Sequence, residues 1–372
     1  MIYFDNSATT KPSLLCIETM TKVMREDYAN ASSLHSAGVK ANKWIELAKK
    51  NIASALGCNS NEIMLTPGGT YSNNLAISSA VKALCRRGNR VVVSSIEHPS
   101  VLEKMHQLEN EGFEVIYCNP GNIDEFETAI NDKTIFVSCM YVNNETGLIL
   151  PVDRLRAIIN AKKSPALLHI DAVQAFGKLD ISVKKLQCDF LTVSAHKING
   201  PKGIGALYVR RGVKTTPVIF GGEQEGGIVP GTYNTPAAAG FAVAVSQLKE
   251  KKKEHLKMLY DHFLESLECY EFIKLNSFGK HAYHIINISF EGYLGENVLH
   301  FLEGYEIFAS QGSACSSHSK QKGKVIQILG ADKKRADGSL RISFCYENTV
   351  EEIDRFFDIC ALIPDKLIKL YK

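Results

Sequence analysis

Asp189-Phe190-Leu191-Thr192-Val193-Ser194-Ala195-His196-Lys197 decides the fold of this chain. It is a short apolar run that breaks off into polar, reactive residues. A second run, Leu167-Leu168-His169-Ile170-Asp171-Ala172-Val173-Gln174, ends in the same way. Buried strands that deliver functional groups at their carboxyl ends read like this in α/β proteins. Working outward, strand-like and helical patterns alternate from about residue 40 to 210. The strands are expected at Ile63–Thr66, Arg90–Ser95, Glu114–Cys118, Thr134–Met140, Ala166–Ile170 and Phe190–Ser194, with Gly205–Val209 as an antiparallel neighbour. Helices are expected from Thr70 to about Arg86 and from Pro99, at an N1-like position, to about Glu111. Repeated β-α-β units with apolar strands predict an α/β fold with a mostly parallel sheet between helices.

After Thr235 the pattern changes to one long helical stretch, Pro236 to Leu267, and then to short mixed elements that fit a smaller α+β domain. The expected division is a large domain over 13–252 and a small one from 1–12 and 253–372. A length of 372 residues supports two domains, and 45% hydrophobic with 22% charged residues is ordinary for a globular chain. The net charge of +3 points to neither a nucleic-acid nor a membrane-surface partner. Met1–Asn6 has no basic and apolar leader pattern, and no apolar run approaches the ~20 residues of a membrane span. Ten scattered cysteines without a C-x-x-C pair argue against a zinc ribbon or a disulfide framework and suggest a reducing cytoplasm.

Several motifs share one placement, directly after an apolar run. Pro67-Gly68-Gly69-Thr70 lies between strand and helix, where backbone N–H groups and the positive end of the helix dipole can hold a phosphate, or where a simple turn is all that is needed. Glu97-His98-Pro99 puts a flat ring at a helix entry. Asn143-Asn144-Glu145-Thr146-Gly147 offers amides for a cofactor oxygen or a substrate carboxylate, or forms an Asx turn. An Asp at one strand end and a His-Lys at the next suit pyridoxal phosphate (PLP), with the lysine as the imine-forming amine and the aspartate on the pyridine nitrogen. An Asp171–Lys197 ion pair is the other reading, and the two runs alone leave both open.

Taken as an ordered set, these segments resemble the fold-type I PLP enzymes of the class V aminotransferase superfamily, and more narrowly the group I cysteine desulfurases. The resemblance runs from Tyr3–Thr10 through Asn30–His35, Gly69–Ala76, Glu97-His98, Asn143–Gly147, Asp171–Gln174, Ser194–Lys197, Gly200–Gly205 and Gly221–Glu225 to Gly312–Cys315 and Ser339–Phe344. It implies a seven-stranded sheet in the large domain. It also implies PLP on Lys197, Asp171 at the ring nitrogen, and His98 stacked on the ring and aiding acid–base steps. Gln174 and Asn144 would contact the ring hydroxyl or substrate. Gly69, Thr70, Ser194 and His196 would hold the phosphate, with Thr232 reaching in from a partner subunit of a homodimer. Arg341 would clamp the substrate carboxylate, a bidentate task for a guanidinium, where the residue alone suggests only a surface salt bridge.

In the family, the thiolate matching Cys315 attacks the sulfur of cofactor-bound L-cysteine. Alanine is left, with a persulfide that passes to an acceptor such as an iron–sulfur scaffold or a tRNA-thiolation enzyme. The small, polar run around Cys315 is long, as in group I, and the resemblance allows the same thiol to act as a transient iron–sulfur ligand. Tyr71 stands where the family usually has Glu, and Gly226 and Val229 roughly where it has two arginines. The residues leave two further readings open. One is another class V enzyme, an aminotransferase or selenocysteine lyase, that does not use Cys315; the other is a weakly active docking protein with a PLP fold.

Overall fold

Strand Phe190–Ser194 is buried at every position and sits between Leu167–Asp171, which runs parallel to it, and Gly205–Val209, which runs antiparallel. This computed structural model describes residues 1–248, 250–276, 278–312 and 324–370. The large sheet has seven strands, in the order 63–66, 205–209, 190–194, 167–171, 134–140, 90–94 and 114–118. All run parallel except Gly205–Val209, which is antiparallel to both its neighbours. The strands on either side of 167–171, Thr134–Met140 and Phe190–Ser194, bury every side chain. That is why they read as continuous apolar runs rather than alternating ones. The edge strand Glu114–Cys118 is largely half-exposed and ties to its neighbour by an Arg90–Glu114 pair at 2.7 Å. Strand Arg90–Ser94 lies between 114–118 and 134–140, so the order of connections reverses there. Open α/β sheets bind ligands beyond the carboxyl ends of their strands at such a point.

The chain divides into two compact units: Lys11–Tyr141 with Leu150–Leu248, and Met1–Thr10 with Val142–Ile149 and Lys249–Lys372. The sequence placed 142–149 in the large domain; the structure groups it with the small unit. Within that unit the Ile149 N–H donates to the Lys280 carbonyl, the Ala282 N–H to Gly147, and the Asn287 amide to the Glu145 carbonyl. The single helix expected over 236–267 is two, Thr235–Ser246 and Glu250–Leu267. The first is buried on nearly every side, whereas the sequence of the second is amphipathic and starts with a lysine cluster. Segments with such different surroundings are not served by one straight helix.

In the small unit, an antiparallel sheet of Ser339–Ser343, Ile285–Phe290 and Ile273–Leu275 covers a core of Phe4, Phe263, Phe344 and Phe356. The Phe263 and Phe356 ring centroids are 5.7 Å apart, within the range of favourable aromatic pairs. The short strand Ile2–Tyr3 pairs in parallel with Ile307–Phe308. The sequence missed the strands at 2–3 and 273–275 because neither is long enough to show a period.

His169 illustrates how the large sheet handles a buried titratable group. Its Nδ1 lies 2.9 Å from Ser138 Oγ and its Nε2 3.1 Å from Thr192 Oγ1. Burial pushes its pKa down from 6.5 to about 4, partly offset by Asp171. The unfolded chain therefore takes up a proton near pH 6.5 that the folded chain refuses until about pH 4. Stability is lost across that window as the pH falls, and no further through this group below it. A His169→Gln variant is expected to melt lower than the parent at pH 7 but to lose less between pH 7 and pH 4, as read by thermal unfolding across the range.

Candidate functional site

The strand Ile63–Thr66 leads through Pro67 and Gly68 into the helix Gly69–Leu84, and no side chain caps that helix. Gly68 has φ 156°, rare for residues with a side chain. Across the sheet, a Cβ on Gly205 would lie 2.9 Å from the Gly68 carbonyl carbon and 2.8 Å from the Val193 oxygen. Only a glycine there lets the backbone come that close. An uncapped helix start, with Gly69 and Thr70 as its first residues, presents N–H donors and a positive dipole end. That donor set fits a phosphate group.

Asp171 ends its strand almost wholly buried. Its Oδ2 accepts from Asn73 Nδ2 at 2.8 Å and its Oδ1 from the Val173 N–H at 3.0 Å. The same Asn73 amide donates to Ser100 Oγ at 2.8 Å, and that hydroxyl lies 2.9 Å from His98 Nδ1. His98 caps the helix Pro99–Asn110, its Nδ1 accepting from the Ser100 N–H at 3.1 Å. Burial lowers the pKa of His98, Asp171 pulls it back up, and the Lys197 charge lowers it again. His98, Asp171 and Lys197 thus lie within electrostatic reach of one another.

Lys197 closes a short 3-10 turn, Ala195–Lys197, directly after the strand Phe190–Ser194, and is half-buried. His196 is held down to about 3 by burial first, then by Lys197, Lys202 and His98, so it is neutral at physiological pH. Ser194 is buried at the strand end and Gln174 is buried just beyond Asp171. Glu97 is buried as well; its Oε1 accepts from the Met140 N–H at 2.5 Å. Burial, and then the Asp171 carboxylate, push it well above the usual carboxylate range. The sequence brought out His98 but not the Glu97 beside it, nor Asn73 and Ser100 as linkers.

In the small unit, Arg341 is 1% exposed, so the surface salt bridge suggested by the residue alone is replaced by a buried one. Its Nη2 donates to Asp5 Oδ1 at 2.7 Å and its Nη1 to the Asn144 carbonyl at 3.0 Å, while its Nε has no partner among the described residues. Asn143 forms the anticipated Asx turn: its Oδ1 accepts from the N–H groups of Glu145 and Thr146. Asn144 is left to orient Arg341 through its backbone. Asp5 escaped the sequence reading because its partner is 336 residues away.

The three departures from the family pattern have a local account. Val229 is buried in an apolar cluster against which Tyr71 also packs. Gly226 has φ 66° and follows Glu225 at φ 49°, a left-handed stretch suited to glycine. Glu225 itself is buried and pairs with Lys49 at 2.7 Å. Thr232 is exposed and lines, with Thr66, Pro67 and Gly203, a cavity of about 240 Å³. Cys315 lies outside the described residues. Among those described, no group of three or more His, Cys, Asp and Glu is placed to hold a metal ion.

Comparison with known proteins bears on this arrangement. The aminotransferase class-V family matches residues 2–356. A protein of Methanosarcina thermophila, "Cysteine desulfurase IscS", is 39% identical over 376 residues, covering 98% of this chain and 92% of the other. A solved structure titled "NIFS-LIKE PROTEIN" superposes with a TM-score of 0.91 at 34% identity, covering 98% of this chain and 100% of that one. Another, "SspA in complex with cysteine", gives a TM-score of 0.83 at 33% identity, covering 94% and 100%.

The close approach of Gly205 to Gly68 generates a test. A Gly205→Ala substitution is expected to displace the Gly68 backbone, costing about 1–3 kcal/mol of stability. It should also weaken retention of a phosphate-bearing ligand at the helix start. Thermal unfolding and dialysis against inorganic phosphate measure the two effects separately.

Proposed function

We propose, because the chain belongs to the aminotransferase class-V family and its near-full-length relatives include cysteine desulfurases, that it is a PLP-dependent L-cysteine desulfurase. The observation that carries the residue assignments is the clustering of Asp171, His98 and Lys197 at the carboxyl ends of one sheet, beside a helix start that no side chain caps. PLP, when bound, supplies an electron sink that labilises bonds at the substrate's α-carbon and assists release of its sulfur.

The chain's own residues do the rest. Gly69, Thr70, Ser194 and neutral His196 hold the phosphate. Asp171, fixed by Asn73 and the Val173 N–H, faces the ring nitrogen, and Gln174 the ring hydroxyl. Lys197 anchors the cofactor through its Nζ and moves protons there. His98 covers the ring and exchanges protons at Nε2, the nitrogen left over once Nδ1 is engaged with Ser100. Arg341, steered by Asp5 and the Asn144 carbonyl, binds the substrate carboxylate. The Cys315 thiolate would attack the substrate sulfur; the Cβ–S bond breaks as the persulfide S–S bond forms, the electron pair left on the carbon fragment takes up a proton to give alanine, and the persulfide passes to an acceptor of iron–sulfur assembly or tRNA thiolation.

A homodimer accompanies this reading. It is supported by large apolar residues exposed on one N-terminal stretch, among them Leu14, Met24, Tyr28 and Leu34 at 98% exposure, and by exposed Thr232 beside an open cavity. A second copy is the occupant that would give Thr232 a phosphate to reach. A reducing cytoplasm is supported by the free state of every described cysteine. No described helix is long and apolar enough to cross a membrane.

Incubation with L-cysteine followed by mass spectrometry should find one added sulfur on Cys315. A Cys315→Ala variant should keep its cofactor absorbance and lose at least a hundredfold in alanine formation; unchanged turnover would sink the persulfide route. Lys197→Ala should lose covalent cofactor attachment, read as the loss of the cofactor's visible absorbance band.

A further inference from the structure

Asp171 and His98 are joined by more than proximity. Asn73 is 1% exposed and its Nδ2 donates twice, to Asp171 Oδ2 and to Ser100 Oγ, each at 2.8 Å. Its Oδ1 is buried with no hydrogen-bond partner among the described residues. Flipping the amide would turn that oxygen toward the Asp171 carboxylate, two acceptors face to face, so this orientation is the one the site permits. Leaving a buried carbonyl unpaired is costly, and what the chain gains for it is two fixed donors.

The next link follows from the donors. His98 Nδ1 accepts from the Ser100 N–H at 3.1 Å, one donor that disfavours a proton on that nitrogen. The Ser100 hydroxyl already accepts from Asn73, so its own hydrogen is turned toward His98 Nδ1 at 2.9 Å. The proton of the neutral ring is thereby placed on Nε2. We infer that Asn73 and Ser100 are positioning residues that hold His98 as the Nε2–H tautomer and couple its state to the orientation of Asp171. The inference rests on the proposed roles of His98 and Asp171. Among the described residues, the charged or titratable groups that act electrostatically on the ring are Asp171, Lys197 and His196.

Nitrogen-15 NMR of the histidine-labelled holoenzyme tests this, with His98 identified by the signal lost in His98→Gln. The parent should show the proton on Nε2 alone. Ser100→Ala removes one donor to Nδ1 and so favours protonation there. It should give a mixed tautomer and shift the acid limb of the kcat/KM profile to higher pH, by about threefold to tenfold in proton concentration. Asn73→Ala should move the limb the same way, and Ser100→Thr, which keeps the hydroxyl, should restore both readouts. An unchanged tautomer and pH profile in Ser100→Ala overturns the inference. If instead His98→Gln leaves the cofactor spectrum and turnover intact, the assignment of His98 beneath it fails.

Discussion

A carboxylate buried at the end of a central strand, Asp171, constrains the side chains around it. Asp171 cannot stay there without donors, because an unpaired buried charge costs far more than a hydrogen bond returns. Its two oxygens draw on Asn73 from the helix Gly69–Leu84 and on the backbone of Val173. The carboxylate thereby turns one face of that helix toward the strand end. It also pushes Glu97 above the usual carboxylate range and tempers the fall of the His98 pKa. One buried charge thus lies within reach of an imidazole and an amine, with its donor on a helix whose start no side chain caps.

Arg341 repeats the principle with the opposite sign. A buried guanidinium needs acceptors, and Asp5 and the Asn144 carbonyl supply two. The planar fork of arginine explains why lysine would not serve: it engages both acceptors in fixed directions. The loop around Glu225 follows the same logic: burial raises the pKa of its carboxyl, and the paired Lys49 opposes that rise. Val229 and Tyr71 belong to one apolar cluster. An arginine at 229 would have to bury its charge there, so the two apolar positions fit one another.

Much of the site was legible because strand burial leaves a signature. A mostly apolar run that stops at polar residues locates a strand's end; Asp171 stands at such a stop, and His98 and Lys197 stand just past one. Asn73 and Ser100 gave no such signal: each sits inside a helical pattern, where a polar residue is unremarkable until its partner is known. The 142–149 segment was misplaced for a related reason. It follows a strand of the large sheet, and only hydrogen bonds to residues some 130 positions later, such as Thr146 to His281, draw it into the small unit.

The sequence by itself determined the alternating strands and helices, the mostly parallel sheet, the glycine-bearing turn into the helix Gly69–Leu84, and the residue types from which the cofactor could be inferred. These are local properties, set by periodicity and by which residues tolerate which backbone. Tertiary structure alone decided which donors satisfy Asp171, which nitrogen of His98 is engaged, that Arg341 is buried against Asp5, and that the helix after Thr235 is two. Each of these depends on the cost of burying a polar group, and that cost is settled by neighbours distant in the chain.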